Sequence, residues 1–165
     1  MSLVSMVIAA GLLAQTSQDP FYSDGTNYVY REAQSCALYI DYPDNAMLRI
    51  SYRRYSREVF LSFVGGPFEQ ASVGESYQVM LSFGADAQDR HVFPTLGMIQ
   101  PGDDARHGLA AQRGEELLPL FRRADRFQVA IGNWQIGQYG LTNMQTAIDK
   151  LQACSMAYFA VAPRG

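Results

Sequence analysis

The sequence predicts a mainly β protein: one antiparallel β-sandwich or barrel-like domain with a C-terminal amphipathic helix packed on it. Three observations carry this expectation. Apolar residues alternate with polar ones over several short runs, Gly, Pro and Asn punctuate those runs, and one stretch near the C-terminus changes to helical spacing. Short, frequently punctuated strands of this kind build sandwiches and barrels.

The elements follow in order. Ala37-Leu38-Tyr39-Ile40 after Cys36 reads as the first strand. Leu48, Ile50 and Tyr52 then alternate with Arg49, Ser51 and Arg53, the pattern of a half-buried strand. Val59, Leu61 and Phe63 resume the alternation after Arg54-Tyr55-Ser56, which predicts a hairpin closed by Gly65-Gly66-Pro67. Tyr77, Val79, Leu81 and Phe83 form the next strand, ended by Gly84. His91 to Ile99 is a weaker pattern. Pro94 has no N–H to give a ladder, so this strand is expected at an edge or broken. Phe127, Val129 and Ile131 alternate, Gly132-Asn133 supplies a two-residue turn, and Trp134 and Ile136 return. Upstream, Asp24-Gly25-Thr26-Asn27-Tyr28-Val29-Tyr30 reads either as a recognition loop or as an unpaired lead-in to the first strand.

Two helices interrupt the pattern. Leu117, Leu120, Phe121 and Ala124 share a face, with Glu115 and Glu116 placed to favour its N-terminal end. Pro119 kinks this helix or confines it to its later part. In the second, Thr142-Asn143-Met144-Gln145 fits a capping box, with Thr142 as N-cap and Gln145 reaching back. Met144, Ala147, Ile148 and Leu151 then line one face that ends at Cys154.

At 165 residues the chain suits a single domain able to bury a full core. With 48% apolar and 18% charged residues it has a globular composition, and a net charge of -3 is too mild to imply a nucleic-acid or acidic-membrane partner. Ahead of the domain, the apolar run from Leu3 to Ala14 has the form of a secretory leader over 1–14, with a small-residue cut after Ala14. It lacks a basic n-region, so a buried N-terminal strand or helix of a cytosolic protein competes with that reading. The run breaks at Gln15-Thr16-Ser17-Gln18, short of the roughly 20 residues a transmembrane helix needs. A leader at 1–14, a single β-rich domain at 15–165 with its core at 30–155, and a periplasmic or secreted location are the expectation.

Cys36 and Cys154 are the only cysteines. With no C-x-x-C spacing and no histidine cluster nearby, a structural disulfide outweighs a redox couple or a metal site. Asp103, Asp104 and His107 could start a metal site, yet Pro101-Gly102-Asp103-Asp104 reads first as a polar turn. No metal and no cofactor is expected.

The run from Gly74-Glu75-Ser76-Tyr77 to Phe83, then Phe127 to Ile131, Tyr139-Gly140-Leu141-Thr142 and Ala147 to Cys154 resembles small exported proteins of alphaproteobacteria. More distantly it is similar to the invasion-associated locus B family. The resemblance covers roughly residues 30 to 155, and the family's ending usually carries a glycine where Asn143 stands here. It implies an envelope location and an immunoglobulin-like sandwich, and it carries over no catalytic residue.

One surface stands out. Arg49, Tyr52, Arg53, Arg54, Tyr55 and Arg57 interleave arginine with tyrosine on the expected hairpin, a composition suited to gripping an anionic glycan, lipid headgroups or an envelope protein. The plainer reading is a solvated strand face whose arginine stems cover apolar neighbours. No G-x-S-x-G and no acid–base pair can be located. The expectation is therefore a non-catalytic envelope binding or interaction domain of unknown ligand, with an inhibitor or accessory subunit of another envelope protein as the alternative.

Overall fold

The computed structural model describes residues 19–43, 46–65, 68, 71–84, 91–101 and 107–160. Among these residues, ten strands are joined in one antiparallel sheet: β1 (Tyr22–Ser23), β2 (Asn27–Arg31), β3 (Cys36–Asp41), β4 (Met47–Arg53), β5 (Glu58–Val64), β6 (Ser76–Phe83), β7 (His91–Pro101), β8 (His107–Gly114), β9 (Arg126–Ile131) and β10 (Trp134–Gly140). Their order across the sheet is β1-β2-β3-β4-β5-β8-β7-β6-β9-β10. Two helices complete the fold: α1 (Leu118–Arg123), entered through a 3-10 turn at Glu115–Leu117, and α2 (Met144–Ala160).

The sheet curls into a half-barrel, the barrel-like form of the expected class. Strands β5 and β9 stand four places apart, about 19 Å in a flat sheet. Yet Phe63 of β5 stacks on Phe127 of β9 at 5.4 Å between ring centroids. Phe83 and Phe121 meet the same ring at 4.9 and 5.1 Å, so the curl closes around an aromatic centre. An immunoglobulin-like domain divides its strands between two packed sheets. Here all ten belong to one hydrogen-bonded sheet, a departure from that implied arrangement.

Alternation puts Leu38 and Ile40 of β3, Leu48 and Ile50 of β4, and Val59, Leu61 and Phe63 of β5 inside, each at most 1% exposed. Helix α2 lies against β2, β3 and β4 with Met144, Ala147, Ile148, Leu151 and Cys154 buried. Cys36 and Cys154 form a disulfide with Cα atoms 6.1 Å apart, inside the range a disulfide spans. Ser155 Oγ adds a hydrogen bond to the Tyr52 carbonyl at 3.3 Å.

Several local expectations change. Asn27–Arg31 is a strand rather than a loop or unpaired lead-in, because it pairs residue for residue with β3 from Asn27↔Ile40 to Arg31↔Cys36. Helix α2 begins at Met144 and runs to Ala160, beyond the stretch ending at Cys154; no proline or glycine occurs before Ala162-Pro163. The residue ahead of it is Asn143, in the left-handed region at φ 56, and not a Thr142 capping box. Asn143 and Asn27 both reach Asp24 through their side-chain amides, and Asn27 Nδ2 also donates to the Thr142 carbonyl at 2.8 Å. The Asp24 carboxylate thereby ties the β1–β2 turn to the start of α2. Burial is the largest single influence and raises the Asp24 pKa, but the hydrogen bonds from Asn27, Thr26 and Tyr22 together outweigh it and bring it down to about 2.

Strand β7 is interior rather than an edge. The physical reason Pro94 is tolerated lies in the register: β7 pairs with β6 over Ser76↔Met98 to Phe83↔His91, but with β8 only from Gly97↔Ala111 onward. The missing N–H thus falls where the β8 ladder has already opened. Side chains fill the opening. Arg113 Nη2 donates to the Pro94 carbonyl at 2.5 Å, and Thr95 Oγ1 donates to the Gln112 carbonyl at 3.1 Å. The β9–β10 hairpin forms as expected at Gly132-Asn133, with Gly132 at φ 56 and a bulge between Gln135 and Gly137. Pro119 falls in the first turn of α1, confining that helix to its later part.

Candidate functional site

The β4–β5 hairpin is set by alternation. Leu48, Ile50 and Tyr52 point inward, so Arg49, Ser51 and Arg53 take the outer side, where Ser51 is covered and hydrogen-bonded to Ser35 at 2.9 Å; Arg53 pairs with Glu58, and residues 54–57 make the turn. Arg57 closes it at φ 56, a conformation that costs a non-glycine residue energy and is held here by pairing. Its guanidinium forms an ion pair with Glu115, ahead of α1.

The six arginines and tyrosines singled out on this hairpin have different fates. Arg49 is a brace: its Nη2 pairs with Glu32, and its Nε donates to Glu32 Oε1 at 2.9 Å and to the Tyr39 hydroxyl at 3.2 Å. Tyr39 and Ser35 hydroxyls also donate to Glu32, at 2.7 and 2.9 Å. Burial pushes the Glu32 carboxyl up, but the hydrogen bond and charge of Arg49 outweigh it and hold the group below its ordinary value. Burial and the Glu32 charge push the Tyr39 hydroxyl up to about 12. Tyr52 turns inward, 6% exposed, and donates its hydroxyl to Glu115 Oε2 at 2.9 Å. Arg53 lies over the Phe60 ring at 4.6 Å. Arg54 and Tyr55 stand at the tip, with Tyr55 75% exposed.

Sequence reasoning placed Tyr28 and Tyr30 in a candidate recognition loop and missed that they lie on a strand and, with Tyr39 and Phe60, extend this surface. Val29 is buried, so Tyr28 and Tyr30 point outward beside Tyr39, and Tyr30 meets the Tyr39 ring edge-on at 5.6 Å. Phe60 lies outward between the buried Val59 and Leu61. The outer side of β2–β5 is therefore an aromatic surface crossed by Arg49 and Arg53. The signal was present as the alternation of Tyr28, Val29 and Tyr30; the outward tyrosines masked it because they look as apolar as the buried Val29 between them.

A shallow groove of about 360 Å³ lies between the 3-10 turn, α1 and α2, lined by Glu115, Glu116, Leu118, Pro119, Arg122 and Gln152. Arg122 is held there by Asp149 at 2.5 Å and Gln152 at 2.7 Å. The hydrogen bond from Arg57 lowers the Glu115 pKa, which keeps this carboxylate ionised and a poor proton donor. Among the described residues no group of three His, Cys, Asp or Glu side chains could hold a metal ion. Asp103 and Asp104 lie outside the described residues. Among those described, no helix is long and apolar enough to cross a membrane.

Comparison with protein-family models, curated proteins and solved structures returns no match. The functional reading accordingly rests on the chain's own surfaces.

Proposed function

We propose that the protein is a non-catalytic binding or interaction domain of the bacterial envelope, periplasmic or secreted, that uses the outer face of β2–β5 to engage an envelope protein or an anionic glycan. One observation carries the reading. Tyr28, Tyr30, Tyr39 and Phe60 occupy outward positions where the core makes no demand for aromatic rings, with Arg53 stacked among them. Tyrosine and arginine are the residues that anchor interfaces, because each offers a large contact area with a polar end. The Arg49–Glu32 pair orders this surface, and the exposed Arg53 and Arg54 supply positive charge. A disulfide between Cys36 and Cys154 suits an oxidising compartment and supports the exported location.

The test is a pull-down from envelope extract with wild type and Arg53→Glu/Arg54→Glu. Wild type is expected to retain a partner or acidic polysaccharide in a salt-sensitive manner, and the double variant to lose it while melting normally. Equal retention by both would remove this face from the function. The exposed Tyr55 at the hairpin tip favours a second reading, an inhibitor or accessory subunit that inserts this tip into another envelope protein. In that case Tyr55→Ala alone abolishes retention.

A further inference from the structure

We propose that the protein holds an acidic polysaccharide at the tip of the β4–β5 hairpin, where a carboxylate or sulfate of the ligand takes the place of Glu115 on Arg57. This deepens the function proposed above and rests on its reading of an anionic partner.

Arg57 stands in a conformation that its side chain does not favour. Among the described residues it is the only one other than glycine and asparagine with a positive φ, at 56. Glycine suits such a turn position better, because it has no Cβ to crowd the backbone. The turn needs no arginine to keep its shape: the Arg57 N–H donates to the Arg54 carbonyl at 3.3 Å, and Arg53 pairs with Glu58 at the base. The ion pair with Glu115 offsets little of this. The Arg57 side chain is 73% exposed, and exposed pairs stabilise weakly. A residue that breaks a local rule without a matching gain in stability is the mark of a functional position.

The surroundings identify what it binds. The turn gathers Arg53, Arg54 and Arg57 at one tip, all three exposed. Glu58, opposite Arg53, turns instead to Gln112 on β8, which donates to it at 2.5 Å. Among the described residues, Glu115 alone forms an ion pair with any of these three cations. It stands where a ligand's acid group would: Arg57 Nη2 donates to its Oε1. Its other oxygen is held separately, by the Tyr52 hydroxyl at 2.9 Å. Arg57 can therefore change partners while Glu115 stays anchored, and the oxygen it leaves, on a side chain 32% exposed, turns to water. The guanidinium fork matches the paired oxygens of a carboxylate or sulfate. Tyr55, 75% exposed in the middle of this cationic turn, adds an aromatic face on which the C–H face of a sugar ring can pack. Acid group and sugar ring together make an acidic polysaccharide the ligand that uses both.

Biolayer interferometry of the full chain on immobilised polygalacturonate and dextran sulfate tests this. Wild type is expected to bind at least one of them, and which one identifies the acid group. Glu115→Gln removes the internal competitor and should tighten binding about two- to fivefold. Glu116→Gln loses the same charge one residue away and should leave affinity nearly unchanged at physiological salt. Arg57→Gly should weaken binding about tenfold or more while melting at or above the wild-type temperature. Loss of binding in Arg53→Glu/Arg54→Glu with no change in Glu115→Gln or Arg57→Gly would leave the proposed function standing and overturn displacement at Arg57. Equal tightening by Glu115→Gln and Glu116→Gln overturns it too, as does a clearly lower melting temperature in Arg57→Gly, since the pair would then be structural. A wild type that binds neither polymer, or only vesicles containing phosphatidylglycerol, overturns the polysaccharide as occupant.

Discussion

Replacing both Cys36 and Cys154 with alanine should lower stability sharply while leaving the native fold in place. The two residues are 118 positions apart, so the disulfide closes most of the folded chain into one loop. In the chain-entropy model a loop of that length restricts the unfolded state by about 5 kcal/mol at 25 °C. For a domain of this size, each kcal/mol moves the midpoint by about 2–4 °C, so the melting temperature should fall by about 10–20 °C. The loss acts through the unfolded chain. Met144, Ala147, Ile148 and Leu151 bury α2 independently of the sulfurs, and Arg122 still holds Asp149. Far-ultraviolet circular dichroism of the variant below its melt should therefore match wild type. Thermal and urea unfolding, with native-state hydrogen exchange of α2 amides, make the measurement. A midpoint change below about 3 °C would refute the entropic account. So would a variant whose sheet stays protected while α2 exchanges freely, since the bond would then be holding the native helix down.

Two further expectations follow from packing and charge. The folded Glu32 carboxyl lies below its ordinary value of 4.5, so its ionised form adds stability that is complete above that pH and is lost as pH falls through the lowered folded value. Glu32→Gln should cost about 1–2 kcal/mol at pH 7, and urea midpoints should show the gap to wild type shrinking between pH 5 and pH 3; a constant gap would contradict the Arg49 brace. Gly97→Ala should destabilise by about 1–3 kcal/mol, because the new methyl group collides with Val79 and Leu109; chemical denaturation unchanged from wild type would show that the interior beneath β7 is looser than its contacts imply.

Much of the fold was legible because burial writes a period into the chain. The β4–β5 hairpin, β6, the β9–β10 hairpin and the apolar stripe of α2 all announced themselves through alternation or helical spacing, and the cysteine pair followed from there being no third thiol. Strands β2 and β8 did not. In β2 the outward residues are tyrosines, which look as apolar as the buried ones. In β8 the inward residues include Leu109 and Ala111, with Ala110 between them, so no contrast marks the two faces.

What the sequence by itself determined is local: which residues favour strand or helix, where turns fall, and that the two ends of the domain are joined through sulfur. Only the tertiary structure decided how those pieces meet. It placed β8 between β5 and β7, so that Pro94 could sit inside the sheet where the ladder opens, and it curled the sheet until Phe63 met Phe127. It also divided the hairpin arginines, giving Arg49 to Glu32 and Arg57 to Glu115 and leaving Arg53 on the surface over Phe60. The reason is physical. Periodicity encodes how far each side chain lies from water, whereas strand order and ion pairing depend on residues distant in the chain, whose approach no short window of sequence records.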